Sequence, residues 1–142
     1  MKRSDELIPL SHDHHQALYV AKLLRDAESV DVSTVFIEFW SSHGAAHFRI
    51  EEEILLPFSG LAGPTEDEDV GRMLDEHLDL RRQAREVVDG KATVEDLKQL
   101  GSALFDHVRF EERQLFPRIE STLSPDGLKL LGVRLAEAES PD

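Results

Sequence analysis

The amino-acid sequence predicts an all-α protein, an up-down-up-down bundle of four helices with a short C-terminal fifth helix. Three observations support this: apolar residues recur at helical spacing, no segment shows the apolar–polar alternation of a strand, and caps and breakers separate the helices. Because short connections join the four main helices, consecutive helices are expected to run antiparallel and to share one core.

The first two helices are bounded by polar residues and a proline. Ser11 is in position to cap a first helix that runs to about residue 28. Asp31 and Ser33 are alternative starts of the second helix. Pro57 is expected to stop that helix, because proline has no backbone N–H to donate.

The third and fourth helices follow a loop rich in glycine and charge. Thr65, with Glu68 three residues later, forms a capping box for a third helix that is expected to end at Gly90. Thr93 is the predicted cap of the fourth helix. Pro117 is expected to kink or end that helix.

A short helix follows the bundle. Ser124-Pro125 suits the cap and first position of a fifth helix at about 125–139. This helix either packs across an end of the bundle or forms an interface with a second copy or an unidentified protein partner. The 142 residues are expected to form one domain (1–142), with the bundle at about 10–123.

The composition narrows the range of partners. With 16 basic and 29 acidic side chains, the chain has a net charge of −13 and is expected to bind neither nucleic acid nor anionic membranes. The N-terminal sequence MKRSDELIPLSHDHH lacks the apolar core of a signal peptide, and no stretch approaches the roughly 20 apolar residues of a membrane span. We therefore expect a soluble cytoplasmic protein.

The chain contains seven histidines and no cysteine. The lack of cysteine excludes disulfides, thiolate metal ligands and cysteine nucleophiles. Any site chemistry must therefore rest on imidazole and carboxylate groups.

One segment occurs twice. Residues 47–57 read HFRIEEEILLP and residues 107–117, which begin 60 positions later, read HVRFEERQLFP, with six of eleven positions identical. Each copy places a histidine four residues before a glutamate, so the two side chains share one face of a helix. The repeat is either a surface feature shared by two halves of the bundle or one buried site built twice.

Helical periodicity places both histidine–glutamate pairs in the core. His47 with Glu51, and His107 with Glu111, lie on the apolar stripes of the second and fourth helices. His43, one turn before His47, shares the first of these stripes. Because a buried carboxylate without a partner is costly, a bound metal is the simplest common explanation for the two pairs.

The first and third helices offer further candidate ligands. His14 lies on the apolar side of the first helix, and His15, its neighbour, is the alternative. His77 lies near the middle of the third helix. Each half of the chain thus contains an acidic residue followed by histidine (Asp13-His14 and Glu76-His77) before its histidine–glutamate pair.

Four imidazoles and two carboxylates in one core are able to hold two metal ions, with the carboxylates as bridges. Such nitrogen and oxygen ligands suit iron or manganese, and zinc is a less favoured alternative. A centre with an open position can bind a small oxidant such as O2, peroxide or nitric oxide. None of the seven histidines lies three residues after a glutamate, which disfavours a ferritin-type arrangement.

The segments DHHQAL, HFRIEEEILLP, DEHLDL and HVRFEERQLFP resemble the hemerythrin family, in particular bacterial hemerythrin-like (HHE) cation-binding proteins. The resemblance covers about Leu10 to Pro117 and implies a four-helix bundle that holds a non-haem di-iron centre. The ligands that it implies are His14, His77, the terminal ligands His47 and His107, and the bridging Glu51 and Glu111.

The chain departs from the oxygen-carrying hemerythrins at two positions. Arg81 stands where those proteins have a second third-helix histidine, and Glu112 stands where they have an aspartate, although Glu111 is the inward residue by helix angle. Relatives with four histidines and two glutamates, which include proteins linked to iron–sulfur-cluster repair and iron sensing, are closer. His43 either replaces the missing ligand or hydrogen-bonds a neighbour in the core.

Other residues near the repeat are given structural roles. Glu52 and Glu112, which follow the two bridging glutamates, are expected to lie on solvated faces. The aromatic residues of the second and fourth helices are expected to pack and to limit solvent access; they are Phe36, Trp40, Phe48 and Phe110.

These features together predict a hemerythrin-like protein with two iron ions that binds or senses O2, nitric oxide or peroxide. The first alternative is a di-iron oxidoreductase that consumes Fe²⁺, peroxide or nitric oxide, or a protein of iron storage or handling. The second is a metal-free helical module that interacts through its fifth helix. The sequence leaves open whether the protein is an enzyme.

Overall fold

The structure, a computed structural model, describes residues 3–60 and 67–139. Within these ranges it contains helices and turns and no strand, which confirms the all-α prediction. Its main helices are α1 (Ile8–Arg25), α2 (33–58), α3 (Glu68–Val88), α4 (94–122) and α5 (Pro125–Glu139).

The first helix begins earlier than the sequence predicts. A 3₁₀ turn at Asp5–Leu7 leads into α1, and Pro9 occupies the first turn, where its missing N–H leaves no bond unmade. Ser11 therefore lies inside the helix, and the prediction that it caps α1 is wrong. Its side chain is buried, and its hydroxyl donates a hydrogen bond to Oε2 of Glu112 at 2.8 Å.

The repeated segment forms the same unusual turn in α2 and α4. The helical hydrogen bonding widens to a π turn at Glu51–Leu55 and again at Glu111–Leu115. Each π turn ends two residues before a proline, because the wider turn relieves the clash between the proline ring and the preceding carbonyls. As a result α2 passes through Pro57 before it ends, and α4 passes through Pro117 and continues to Thr122.

Polar caps define the starts of α3, α4 and α5, whereas α2 follows directly on a 3₁₀ turn, Val30–Val32, without a side-chain cap. Helix α2 begins at Ser33, one of its two predicted starts. The Asp67 carboxylate caps α3, and Thr65, the predicted cap, lies outside the described residues. Thr93 caps α4 as predicted, in a capping box with Asp96. Ser124 caps α5 as predicted, because its hydroxyl accepts a hydrogen bond from the Gly127 N–H at 3.0 Å.

The four long helices form the predicted up-down-up-down bundle. Helix α1 packs most extensively against α4, which also packs against α3. Gly101 permits the close approach of α1 and α4, because a Cβ there would lie 2.7 Å from the carbonyl oxygen of Ala21. Helix α5 packs on the bundle, against Asp5–Leu7 and Glu51–Leu55, and this contact buries Leu131 and Leu135.

The apolar core has two parts. Along each of α1 to α4, the two parts lie mostly on opposite sides of the buried histidine, although Phe48 and Val108, which directly follow His47 and His107, belong to the part that precedes those histidines. In α1, for example, Leu10 belongs to one part and Ala17 to the other, with His14 between them. The bundle thus encloses a polar layer between two apolar ones. Among the described residues, no helix combines the length and apolar character needed to cross a membrane.

Candidate metal centre

The side chains predicted as metal ligands come together in the polar layer of the bundle. All of them are at most 4% exposed to solvent. Helix α1 contributes one, α2 two, α3 one and α4 two; these residues are His14, His47, Glu51, His77, His107 and Glu111.

Two compact groups can be distinguished in this layer. The His14 group consists of His14, His47, Glu51 and Glu111, each of which offers one ligand atom within 4.8 Å of the others. Nε2 of His47 lies 3.1 Å from Oε2 of Glu51, and Nε2 of His14 lies 2.8 Å from Oε1 of Glu111. The two imidazole nitrogens are 3.2 Å apart.

The second group has the same construction. The His77 group consists of His77, His107 and the same two glutamates, Glu51 and Glu111. Nε2 of His77 lies 3.1 Å from Oε1 of Glu51, and Nε2 of His107 lies 3.2 Å from Oε2 of Glu111. The two imidazole nitrogens are 3.1 Å apart. Each glutamate therefore turns one oxygen to each group, as a bridging carboxylate would.

A ring of four further carboxylates surrounds the two groups. Each histidine donates its Nδ1–H to a carboxylate on the preceding helix, and His14 of α1 closes the ring on α4. The pairs are His14–Glu112 (2.7 Å), His47–Asp13 (2.9 Å), His77–Glu52 (2.6 Å) and His107–Glu76 (2.7 Å). Because Nδ1 carries the proton in each neutral ring, the Nε2 lone pair points into the centre.

This arrangement concentrates acceptor atoms. Four imidazole nitrogens and four carboxylate oxygens face one another in a buried space. Among the described residues, both oxygens of Glu51 and Oε2 of Glu111 have no hydrogen-bond partner. The nearby imidazoles of His47 and His77 approach Glu51 to 3.1 Å but are not aligned as donors to it. Buried acceptors without donors are costly, so the centre requires positive charge.

In the absence of metal, protons supply that charge. Burial lowers the pKa of His47, but the charge of Glu51 and the hydrogen bond to Asp13 outweigh burial and raise it to about 10. For His77, burial is likewise outweighed by the nearby carboxylates of Glu111, Glu51 and Glu52, which raise the pKa to about 11. Burial also lowers the pKa of His107, and the charge of the carboxylate one turn later raises it to about 9.

Two further histidine candidates are not brought into the centre. His15 and His43 are exposed, and within the described chain neither belongs to either group. The expectation that His43 faces the core is wrong because a third π turn, Trp40–Gly44, ends one helical turn before His47. One extra residue in a turn rotates the preceding side chains by roughly 100° around the helix. The His43 ring is hydrogen-bonded to the Ser42 hydroxyl at 2.8 Å.

The carboxylate ring was not predicted from the sequence. Glu52 and Glu112 were expected on solvated faces, yet both are half-buried and accept hydrogen bonds from ligand histidines. A signal was present, since every acidic residue of the ring is adjacent in sequence to a candidate ligand. Adjacent residues lie roughly 100° apart around a helix, so the ligand faces the bundle axis and its neighbour faces the next helix.

Arg81 lies outside both groups. Its guanidinium makes a two-point ion pair with Glu52, with Nη1–Oε2 and Nη2–Oε1 distances of 2.7 and 3.2 Å. Arg81 therefore does not face the candidate metal centre. It forms an ion pair with Glu52, the carboxylate that accepts the His77 Nδ1–H.

Fold and site together define the class: a helical-bundle protein with a buried histidine–carboxylate cluster that could hold metal. The family model described as hemerythrin HHE cation binding domain matches residues 5–119, and the chain belongs to this family. The predicted family is thus confirmed. No curated protein and no solved structure matches the chain significantly.

Proposed function

We propose that this chain holds two iron ions, one in each group, and that it binds or senses a small oxidant: O2, nitric oxide or peroxide. The observation that carries the proposal is the sharing of both buried glutamates between the two groups. Two bridging carboxylates with two imidazoles on either side form a donor set for a dinuclear centre.

The donor set suits iron. It contains imidazole nitrogen and carboxylate oxygen and no sulfur, which fits iron or manganese, with zinc as a weaker alternative. The orphaned oxygens of Glu51 indicate that the centre is designed for a cation. When bound, a di-iron centre supplies the ability to bind small oxidants and to change oxidation state. The protein's part is to hold the Nδ1–H of all four histidines on carboxylates, so that each Nε2 is directed inward and binds metal once its proton is displaced.

A small cavity beside the centre supports a small ligand. Its volume is about 20 Å³, and His14, His47 and His107 line it together with apolar side chains that include Trp40 and Phe48. A space of roughly 10–15 Å³ accepts one water-sized molecule. The cavity therefore has room for a diatomic molecule or peroxide and excludes a substrate of metabolite size.

Metal content tests the proposal. We expect protein purified without chelator to contain about two iron ions per chain and to develop near-ultraviolet charge-transfer absorption in air. The double variant Glu51→Ala with Glu111→Ala should lose both ions. Glu53→Ala is the matched control, since Glu53 lies in the same π turn with its side chain 66% exposed. Well-folded iron-free wild-type protein, or unchanged iron in the double variant, would refute the proposal.

The same centre would also serve a di-iron oxidoreductase or an iron-handling protein, and turnover separates these functions. Catalytic consumption of peroxide, nitric oxide or Fe²⁺ favours the oxidoreductase. Binding of one ligand per centre without turnover favours a binding or sensing role. A cytoplasmic location and the lack of nucleic-acid and membrane partners stay predictions from composition.

A further inference from the structure

We propose that Arg81 and Arg3 are positioning residues, one for each candidate metal group. We further propose that the His14 ring is fully held in position only while residues 3–4, the N-terminal strap, are docked on α4. The inference rests on the proposed metal function and concerns how the two metal positions differ.

Arg81 holds both residues that fix the His77 ring. It pairs with Glu52 at 2.7 Å, and Glu52 accepts the His77 Nδ1–H at 2.6 Å. Its guanidinium carbon also lies 5.7 Å from the ring centre of Phe48, which stacks on His77 at 3.9 Å with an interplanar angle of 12°. Arg81 thus contacts both neighbours of the imidazole: Glu52, which binds its edge, and Phe48, which packs on its face. We call this arrangement a clamp.

Arg3 holds the corresponding residues around His14. It lies 3.6 Å from Oε1 of Glu112 and donates to the Glu112 carbonyl at 2.6 Å, while Glu112 accepts the His14 Nδ1–H at 2.7 Å. Its guanidinium carbon lies 5.6 Å from the ring centre of Phe116, which stacks on His14 at 5.2 Å with an interplanar angle of 21°. Carboxylate, phenylalanine and arginine therefore surround His14 and His77 alike.

The two arginines are anchored differently. Arg81 belongs to α3, one helical turn after His77, so the helix itself sets its position. Arg3 precedes the first turn and is tied to α4 through Glu120, which pairs with its guanidinium at 2.5 Å and accepts the Ser4 N–H at 2.5 Å. The clamp on His14 therefore depends on docking of the strap, whereas the clamp on His77 is built into a helix.

Thermodynamic linkage makes this dependence reciprocal. If the docked strap strengthens metal binding at the His14 group, metal in that group must stabilise the docked strap by the same factor. Partners that orient ligand histidines contribute 10–100-fold to metal affinity as a rough range. An arginine is specifically required, because its planar fork serves a carboxylate and an aromatic face together, which lysine does not do.

Anaerobic titration with Co²⁺ by calorimetry tests the assignment. Wild-type protein should bind two Co²⁺ ions. Arg3→Met and Arg81→Met should each lower the affinity for one equivalent of Co²⁺ by about 10–100-fold and leave the affinity for the other unchanged. The combined variant should weaken both equivalents additively. Arg85→Met is the control, since Arg85 is 83% exposed and pairs with Asp89 away from the centre. Arg3→Lys and Arg81→Lys should weaken binding too and serve if a methionine variant fails to fold.

Glu120 tests the strap without a change at the centre. Glu120→Ala should weaken the same equivalent as Arg3→Met, and the two changes together should be no worse than either alone. In wild-type protein, Co²⁺ should slow hydrogen exchange at the Ser4 amide, with the Leu97 amide near the far end of α4 as the control. Arg81→Met should leave the Co²⁺ effect on Ser4 in place.

The outcomes separate this inference from the proposed function. Two Co²⁺ ions bound with unchanged affinity in Arg3→Met and Arg81→Met would overturn the clamps and leave the proposed function standing. Equal weakening of both equivalents in each variant would show a general structural effect and overturn the assignment. A hydrogen-exchange rate at the Ser4 amide that does not change when Co²⁺ is added would overturn the linkage. Wild-type protein that binds no Co²⁺ or Fe²⁺ would instead refute the proposed function.

Discussion

Replacement of Glu52 by glutamine is expected to weaken metal binding at the His77 group by about 10–100-fold, or roughly 1.4–2.7 kcal/mol. The carboxylate accepts the His77 Nδ1–H at 2.6 Å and pairs with Arg81 at 2.7 and 3.2 Å. Hydrogen bonds to charged groups contribute about 1.5–3 kcal/mol, which agrees with that range. Glutamine keeps the shape of the side chain, so the change removes charge and little volume.

The Glu52→Gln substitution also removes the preference for one imidazole tautomer. A carboxylate only accepts hydrogen bonds, whereas a glutamine amide can also donate to Nδ1 of His77 and so shift the ring proton to Nε2. A protonated Nε2 cannot bind a metal. The effect should therefore appear directly in the affinity for metal.

The assay is an anaerobic calorimetric titration of Fe²⁺ or Co²⁺ into Glu52→Gln, with Glu53→Gln as the matched control because its side chain is 66% exposed. Glu112→Gln should produce the corresponding loss at the other group, since Glu112 holds His14. If Glu52→Gln bound both ions as tightly as Glu53→Gln, the carboxylate ring would have no role in positioning the ligands, and the reasoning would fail.

Three further predictions concern stability and protons. Metal-free protein should lose stability as pH rises from about 6.5 through 9–11, because the folded state holds a proton on His77 up to a pKa of about 11. Thermal melts with and without Fe²⁺ measure this loss, and iron-loaded protein should not show it. Metal binding at pH 7 should release more than one proton per chain, measured by calorimetry in buffers of different ionisation enthalpy. Phe48→Ala should lower the free energy of unfolding by about 3–5 kcal/mol in denaturant titrations, since Phe48 is 4% exposed; an effect below 1 kcal/mol would contradict the packing described.

Arg81 and His43 show that the position of a residue in the sequence does not by itself identify its role. Arg81 stands at a position where the oxygen-carrying hemerythrins have a histidine, and in this structure its guanidinium pairs with Glu52. His43 was expected in the core by strict periodicity and is exposed, because a π turn shifts the phase of the helix before His47. The Ser41 and Ser42 hydroxyls, which donate to helix carbonyls at 2.9 and 2.6 Å, accompany that turn.

The sequence by itself determined the helical class, the helix order and the burial of six of the eight candidate ligands. Histidine and glutamate four residues apart share a face of any helix, so His47 with Glu51 had to lie together once that face was apolar. Cap signals such as Thr93 were also readable, because a capping box depends on a few neighbouring residues.

Only the tertiary structure decided how the ligands are held. Each carboxylate of the ring comes from a different helix than the histidine it holds, and Arg3 reaches Glu112 across 109 positions of the chain. Such contacts depend on helix rotation and spacing, which the local pattern does not encode. The π turns before Pro57 and Pro117 add to this, since they change side-chain direction within a helix whose sequence looks regular.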